Sequence, residues 1–169
     1  MAIRPARSVD AAAITAILEA RLPDSRYAGI AQVDPIAARR LFAHAAQRHG
    51  GTTEGATFLM VAEDEAGEVE AFMLGSLNRI YMVFDALGAC DNFLIGRKGC
   101  DPRAMTALFD AYLAWADANP RVVEIGASWA DTIEGTEAIT HFFERRGFAL
   151  CGKTFRRDGA ACIAKDRAA

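Results

Sequence analysis

The spacing of apolar residues along the chain changes character several times, and each change marks a switch between helix and strand. After a short N-terminal strand, apolar residues from Ile14 to Leu22 recur at helical spacing, with Ser8 as the expected N-cap and the next proline as the stop. Asp34, followed by proline, predicts the start of a second helix, which ends near Gly50. Two helices are therefore expected before residue 51.

From residue 57 onward the pattern is that of strands alternating with helices. The run TFLMVAE at 57–63 predicts a buried strand, which the turn at 64–67 joins to a second strand at 69–75. Residues 80–84 fit either a strand or a helical turn. The later elements are expected in this order: a strand at 91–95, a loop at 96–103, a helix at 104–118, a strand at 122–128, a helix at 134–145, and a hairpin formed by 149–156 and 161–165.

This order of elements predicts one α/β domain over residues 1–169, with a mixed central sheet flanked by helices on both faces. The last helix is followed by an antiparallel hairpin rather than by another strand–helix unit. The chain also has no G-x-G-x-x-G sequence after a strand. Both observations argue against a doubly wound dinucleotide-binding sheet.

Composition narrows the classes of function. A net charge of −3 gives no general attraction to nucleic acid or to a membrane surface. The N-terminus has no apolar signal core, and no run approaches the roughly 18 apolar residues of a membrane span. The four cysteines form no C-x-x-C pair and stand at no metal-ligand spacing with a histidine. We therefore expect a cytoplasmic protein with reduced thiols and no bound metal.

Residues 142–148, FFERRGF, followed by Gly152, are similar to the C-terminal signature of the GNAT N-acetyltransferase superfamily. Trp115 and the alanine after it resemble a pair that the family's third helix often carries, and the first strand and helix resemble the family's first elements. The tripeptide Ser-Arg-Tyr at 25–27 resembles a subgroup common in tailed phages and prophages. The resemblance covers essentially the whole chain and implies the GNAT fold.

The resemblance also implies a coenzyme, acetyl-CoA, and an acceptor amine on a small molecule or a protein. In this family the fourth and fifth strands splay apart, and pantetheine pairs along the fourth strand. A glycine-rich turn then holds the pyrophosphate at the N-terminus of the next helix. A base takes the proton of the attacking amine, and a side chain protonates the thiolate. Carried onto this sequence, the coenzyme-binding positions are Leu94, Ile95, Gly96, Arg97, Lys98, Gly99, Arg103 and Ala104.

The loop before the third helix departs from the family pattern, Gln/Arg-x-x-Gly-x-Gly/Ala. Counted back from Trp115, that pattern falls on residues 100–105, which contain no glycine. Asp101 adds negative charge where a pyrophosphate would lie, and Pro102 removes an N–H donor. These differences predict that acetyl-CoA binds weakly or not at all.

A shifted register that begins at Arg97 restores a basic start and one glycine, but it places the loop about three residues early. In that register the side chains of Arg97, Lys98 and Arg103 would form a phosphate cradle. The alternative is that these residues belong to a charged surface loop without a ligand.

Two residues are candidates for catalysis. Glu124 is a charge within an otherwise apolar strand, so it is either a general base or the ion-pair partner of Arg121. Ser128 stands at the outgoing end of the same strand, where ligands bind in such sheets, although it can equally cap a helix. Phe143 occupies the place of the tyrosine acid of many relatives and has no proton to give. Other polar or aromatic positions considered are Asp91, Asn92, Asp131, His141 and Tyr27.

Three classes of function follow. The first is an N-acyltransferase that moves an acetyl group from acetyl-CoA to an unknown amine. The second is a non-catalytic GNAT-fold protein with a binding or structural role, such as a phage virion component or a modulator of a host protein. The third is an enzyme that uses another acyl or aminoacyl donor. Fold alone does not choose among them.

Overall fold

The computed structural model describes residues 1–128 and 136–152, and the side chains of the last helix from residue 139 onward. The chain divides into two compact units. One comprises Met1–Arg21 and Val33–Ser128, and the other contains Leu22–Gln32 and the described residues from 136 onward. Each unit is described by itself below.

The described strands and helices follow the order that the sequence predicted. The strands are β1 (Ala2–Pro5), β2 (Thr57–Glu63), β3 (Val69–Arg79), β4 (Leu87–Gly96) and β5 (Val122–Gly126). The helices are α1 (Ala11–Arg21), α2 (Pro35–Gln47), α3 (Pro102–Asp117) and α4 (Thr136–Glu144). Short 3-10 turns lie at Ser8–Asp10, Leu22–Asp24 and Ile80–Met82. Within the described ranges, no helix is long and apolar enough to cross a membrane.

The start of α2 is as predicted, but the start of α1 is not. The Asp34 carboxylate accepts the backbone N–H groups of Ile36 and Ala37 at 2.9 and 3.0 Å, as an N-cap does. Ser8, in contrast, lies inside the 3-10 turn that precedes α1, and Arg7 is the N-cap residue of that turn. The Asp10 carboxylate accepts the Arg7 N–H at 2.7 Å and so joins the two ends of the turn.

Five strands in the described part of the chain form one mixed sheet in the order β1-β2-β3-β4-β5. Neighbours from β1 to β4 are antiparallel, and β4 and β5 are parallel. Strands β3 and β4 are longer than predicted, because residues 76–79 and 87–90 also pair with one another. The predicted mixed sheet is confirmed.

Helices cover both faces of the sheet, as expected. On one face, α1 and α2 bury a core against the sheet whose members include Ile14, Phe42, Val61, Phe72 and Leu74. On the other face, α3 buries Leu108, Phe109 and Tyr112, and the Phe58 ring lies 5.8 Å from that of Tyr112 and 5.5 Å from that of Trp115. Strand β5 is less buried than its largely apolar sequence indicates, since the Val123 side chain is 65% exposed.

The loop between β3 and β4 carries an apolar run into solvent. Tyr81, Met82, Val83 and Phe84 are each more than half exposed, and the rings of Tyr81 and Phe84 contact each other at a centroid distance of 5.9 Å. Tyr81 and Met82 have φ angles of 49° and 63°, in the left-handed region that non-glycine residues rarely adopt. The ambiguous stretch 80–84 is therefore neither a strand nor a regular helix.

In the second unit, the residues of the FFERRGF sequence form the end of α4. Gly147 has a φ of 83° and its N–H donates to the Glu144 carbonyl, so the helix ends in a left-handed glycine. The rings of Phe143 and Phe148 lie 5.6 Å apart. Residues 149–152 are not in a strand, contrary to the prediction, and the rest of the predicted C-terminal hairpin lies outside the described residues.

Candidate functional site

Strand β5 pairs with only the first part of strand β4. Pairing runs from Leu87 opposite Val122 to Cys90 opposite Gly126, and there β5 ends. Strand β4 continues for six more residues, 91–96, which pair with β3 alone among the described strands. The predicted splay of the two strands is thus present. It leaves a row of backbone N–H and C=O groups that an extended ligand can reach.

The point beyond the Cys90–Gly126 pair, where β5 ends and β4 continues, is called here the fork. A β-bulge lies next to it. Gly75 of β3 pairs with Asp91 and Leu74 pairs with Phe93, so Asn92 is the extra residue on β4. A bulge redirects the side chains around it and often occurs beside a functional site. Asn92 accordingly lines a groove on the α2 face of the sheet, whereas Asp91 lies opposite Gly75.

The Asp91 carboxylate spans the fork. It accepts the Ser128 backbone N–H at 3.0 and 3.1 Å and the Ser128 hydroxyl at 3.2 Å. Burial raises the pKa of Asp91 and outweighs the opposing effect of these hydrogen bonds. Asp91 therefore holds the chain that leaves β5 beside the first unpaired residues of β4. Asp91 is also a partly buried titratable carboxyl group at the fork.

Tyr112 of α3 also contacts the strands at the fork. Its hydroxyl donates to the Gly126 carbonyl oxygen at 3.3 Å, and its ring packs on Gly75. Burial, together with the nearby Asp91 charge, raises the pKa of Tyr112, so the phenol stays protonated. Sequence analysis gave Tyr112 no role at the site. A glycine within β3 was the available signal, because it marks a close approach to the sheet.

The two predicted catalytic residues both lie near the fork. Glu124 is exposed and lines a groove of about 260 Å³, the hairpin groove, together with Asn78, Tyr81, Cys90 and Gly126. The proposed pairing with Arg121 is not what the structure shows, since that guanidinium donates to the Asp85 carbonyl oxygen at 3.3 Å. Because Glu124 lies on an exposed strand, its charge needs no compensating cation.

The predicted coenzyme-binding residues come together where β4 leads into α3. Leu94, Ile95 and Gly96 end the strand, and Arg103 and Ala104 lie in the first turn of the helix. Between them, the Cys100 N–H donates to the Arg97 carbonyl at 3.1 Å, closing a turn in which Gly99 has a φ of 80°. The predicted loop is therefore a compact turn with a left-handed glycine.

The charges of this loop are largely engaged with one another. The Arg97 guanidinium pairs with the Asp64 carboxylate of the β2–β3 turn. Asp101 caps α3, accepting the Arg103 N–H at 2.9 Å, and the Arg103 guanidinium lies 3.2 Å from the same carboxylate. The Arg103 N–H bond, above all, lowers the pKa of Asp101, so the cap is an anion at neutral pH. The end of α3 that would attract a phosphate already holds a carboxylate.

Cys100 closes the loop over the end of β4. A Cβ added to Gly96 would lie 2.2 Å from the Cys100 sulfur, so the thiol occupies the space that any larger residue at 96 would need. Burial raises the pKa of the Cys100 thiol. Cys90, Cys100 and Cys151 are free thiols, and Cys162 lies outside the described residues. No group of three or more metal-ligating side chains is assembled in the part of the chain that the structure describes.

The remaining candidates lie as follows. His141 is exposed and its ring nitrogen lies 3.1 Å from the Glu144 carboxylate, as expected of a surface residue. Tyr27 is 47% exposed, with the Arg26 guanidinium 5.4 Å from its ring centre. Asp131 lies outside the described residues.

No protein-family model matches the sequence, and no curated protein matches it. Solved structures do match. A putative acetyltransferase from Agrobacterium tumefaciens strain C58 is 14% identical, with a TM-score of 0.66 over 94% of this chain and 100% of its own. A transcriptional regulator from Bacillus halodurans C-125 is 13% identical, with a TM-score of 0.67 over 94% and 99%.

A third similar structure is the ribosomal-protein-alanine N-acetyltransferase of Brucella melitensis biovar Abortus 2308. It is 12% identical, with a TM-score of 0.60 over 94% of this chain and 100% of its own. Identities this low concern the fold alone. The chain has the α/β fold of these acetyltransferases, the GNAT fold that its C-terminal sequence predicted.

Proposed function

We propose that this chain is an N-acyltransferase that moves an acetyl group from acetyl-CoA to an amine. The observation that carries the proposal is the edge of β4 at residues 91–96, beyond the last pair between Cys90 and Gly126, which no described strand covers. An open strand edge that ends at a helix N-terminus suits a ligand with an extended amide chain and an anionic end.

The strand edge fits the pantetheine part of such a coenzyme, because its backbone groups can pair with the amides of an added strand. Bound acetyl-CoA would supply an acetyl thioester for the amine to attack, and CoA would leave as a thiolate that takes its proton from solvent. The chain's own contribution is to orient the carbonyl at the fork and to accept the proton that the amine loses.

Glu124 and Ser128 remain the proposed catalytic residues. Glu124 offers an exposed carboxylate in the hairpin groove beside Cys90 and Gly126, the last pair before the fork, so it can accept a proton from an amine that approaches there. The Ser128 hydroxyl and N–H are held at the fork by Asp91. Asp91 is in this scheme a positioning residue that fixes Ser128.

The loop 97–104 fits the pyrophosphate less well. The Asp101 carboxylate caps α3, Pro102 offers no N–H, and Arg97 is paired with Asp64. A pyrophosphate placed there meets a fixed negative charge, and each charge-assisted hydrogen bond that is lost weakens binding by roughly 1.5–3 kcal/mol. We therefore propose that acetyl-CoA binds, but weakly, and that Arg97, Lys98 and Arg103 offset part of the repulsion.

The Asp101 carboxylate also supports a second candidate function. If Asp101 excludes the coenzyme altogether, the chain keeps the fold for binding or assembly without catalysis, and the Ser-Arg-Tyr sequence at 25–27 favours a role associated with phages. The protein would then act through a protein partner, as a virion component or as a modulator of a host protein.

The two functions are separated by measuring coenzyme binding and acetyl transfer independently. Calorimetry with acetyl-CoA and with CoA, followed by thiol release in the presence of a panel of small amines and peptides, tests the first. Binding together with amine-dependent thiol release supports the acyltransferase. Absence of both, at millimolar coenzyme and low salt, would exclude it and leave the non-catalytic function or an enzyme that uses another donor.

Variants at the fork test the assigned roles. Glu124→Gln should lower thiol release by about tenfold to a hundredfold, the lower end of what general-base catalysis contributes, while leaving acetyl-CoA binding unchanged. The matched control is Glu65→Gln, which changes an exposed residue of the turn between β2 and β3. This variant should retain full activity. An unaffected Glu124→Gln variant would assign the proton transfer to another group.

A further inference from the structure

We propose that the groove between α2 and the bulge of β4 binds a small acceptor that carries a carboxylate next to an apolar side chain, as an amino acid does. The inference rests on the proposed function and adds the chemical class of the acceptor. The groove, called here the α2 groove, has a volume of about 320 Å³. Its lining residues include Leu41, His44 and Arg48 of α2 and Leu74, Ser76 and Asn92 of the sheet.

Arg48 brings a positive charge to the rim of the α2 groove. His44 and Arg48 are one helical turn apart, both exposed, and both line it. Within residues 1–128 and 136–152, no carboxylate lies at salt-bridge distance from either of them. Glu54, which is close to Arg48, pairs instead with Arg79 at 2.7 Å. A positive charge without its own counter-ion favours an anionic ligand.

The Arg48 guanidinium is held in place at the groove before any ligand arrives. It donates to the Glu54 carbonyl oxygen at 3.5 Å and packs over Gly55, where an added Cβ would lie 2.3 Å from its Nη2 atom. A guanidinium that is already oriented presents its remaining N–H groups to a carboxylate at a lower entropic cost than a mobile one.

The lining of the α2 groove combines apolar and polar side chains. Its apolar part includes Leu41, which is 48% exposed, the buried Leu74, and Phe93. Ser76 and Asn92 add polar groups to the lining. Because Asn92 is the bulge residue beside the fork, a ligand whose carboxylate meets Arg48 directs its other polar group toward the splayed strands.

The volume favours a small molecule over a peptide or a protein surface. Small-molecule sites typically enclose about 300–1,000 Å³ and combine an apolar lining with a few placed polar groups. The α2 groove is at the lower end of that range and has both features. An amine with a carboxylate and one apolar side chain matches the charge of Arg48 and the apolar and polar parts of the lining.

Three probes test this assignment without any coenzyme: L-phenylalanine, 3-phenylpropionate, which lacks the amine, and phenethylamine, which lacks the carboxylate. Calorimetry or ligand-detected NMR on the full chain should show millimolar or tighter binding of both carboxylates. Phenethylamine should bind at least tenfold more weakly, since it loses the charge-assisted contact. Equal binding of phenethylamine, or no binding of either acid, would overturn the proposal.

Variants on α2 locate the binding. Arg48→Gln should weaken 3-phenylpropionate binding by about tenfold or more and bring its affinity close to that of phenethylamine. Arg39→Gln, an exposed arginine of the same helix that does not line the groove, removes the same charge and should leave both affinities unchanged. If the two variants behave alike, the effect is one of net charge and the groove is not the site.

These outcomes are distinguishable from failure of the proposed function. If phenylalanine binds with the expected dependence on Arg48 but is never acetylated, the α2 groove assignment stands and the acetyltransferase proposal fails. If amines without a carboxylate are acetylated while neither acid binds, the acetyltransferase stands and the groove assignment fails.

Discussion

The Tyr112 hydroxyl lies 3.3 Å from the Gly126 carbonyl oxygen, at the last residue of β5 that pairs with β4. The ring of the same tyrosine contacts Gly75 of β3, opposite the bulge. The Tyr112 side chain thus connects α3 with both β3 and β5. The position of the fork depends on how closely this ring approaches the sheet.

Replacing Gly75 should test that close approach. In Gly75→Ala the new Cβ would lie 2.6 Å from Cε2 of a fully buried ring, so the ring or the strand must shift. We expect a loss of about 1–3 kcal/mol in the free energy of unfolding, measured by urea denaturation. Gly88→Ala in the adjacent strand, where the nearest atom is 3.7 Å away, should change it little. Equal effects of the two substitutions would show that the ring does not pack on Gly75.

The buried Asp91 carboxyl group predicts a specific dependence of stability on pH. Burial raises its pKa, so the folded protein holds the proton more tightly than the unfolded chain. The contribution of Asp91 to stability is therefore greatest in acid, and it falls as pH rises from the unfolded value of about 4 through the higher folded pKa. Asp91→Asn removes this dependence.

The free energy of unfolding of the wild type minus that of Asp91→Asn should consequently become more positive as the pH is lowered from about 7 to about 4.5. Urea denaturation of both proteins at each pH measures it, and effects of other groups cancel in the difference. A difference that moves in the opposite direction would mean that the Ser128 hydrogen bonds, rather than burial, dominate the pKa of Asp91.

The contact between Gly96 and Cys100 can be tested by a double-mutant cycle. Gly96→Ala places a Cβ 2.2 Å from the Cys100 sulfur and should destabilise the protein by about 1–3 kcal/mol. Cys100→Ala removes that sulfur, so the double variant should recover at least about 1 kcal/mol relative to the sum of the single changes. Additive effects would indicate that the thiol does not lie over Gly96.

The carboxylate at the start of α3 predicts a gain of binding on its removal. In Asp101→Ser the hydroxyl still caps the helix, but the fixed negative charge is absent. Acetyl-CoA affinity, measured by calorimetry, should rise by about tenfold or more, and the gain should shrink at high salt. Asp117→Ser, at the exposed opposite end of α3, changes the net charge equally and should have no such effect. An unchanged affinity in Asp101→Ser would mean that the pyrophosphate does not bind at this helix end.

Sequence periodicity predicted the fold well because most elements are long and carry their own start and stop signals. Asp34 with its following proline, and Gly147 at the exit of α4, act within a few residues of the boundaries they set. The boundaries of β3 and β4 were less well predicted. Their outer halves, residues 76–79 and 87–90, are strands because they pair with each other, and such pairing leaves no local pattern.

The fork and the loop lie where the resemblance to the GNAT fold implied, whereas the roles of their residues stay predictions. What could not be read from the sequence was how the charges pair. Asp101 binds the Arg103 N–H, Arg97 pairs with Asp64, and Asp91 holds Ser128 across the fork. The last two contacts join residues 33 and 37 positions apart, so they depend on the sheet having already formed.

The left-handed turn at Tyr81 and Met82 has a consequence for solubility. Residues 80–84 are five consecutive apolar residues at an exposed sheet end, and an extended run of that kind is a template for strand pairing between copies. Positive φ angles at two of its central positions exclude the extended conformation. In the folded backbone these residues therefore do not form an edge strand, and pairing between copies would require the loop to change conformation first.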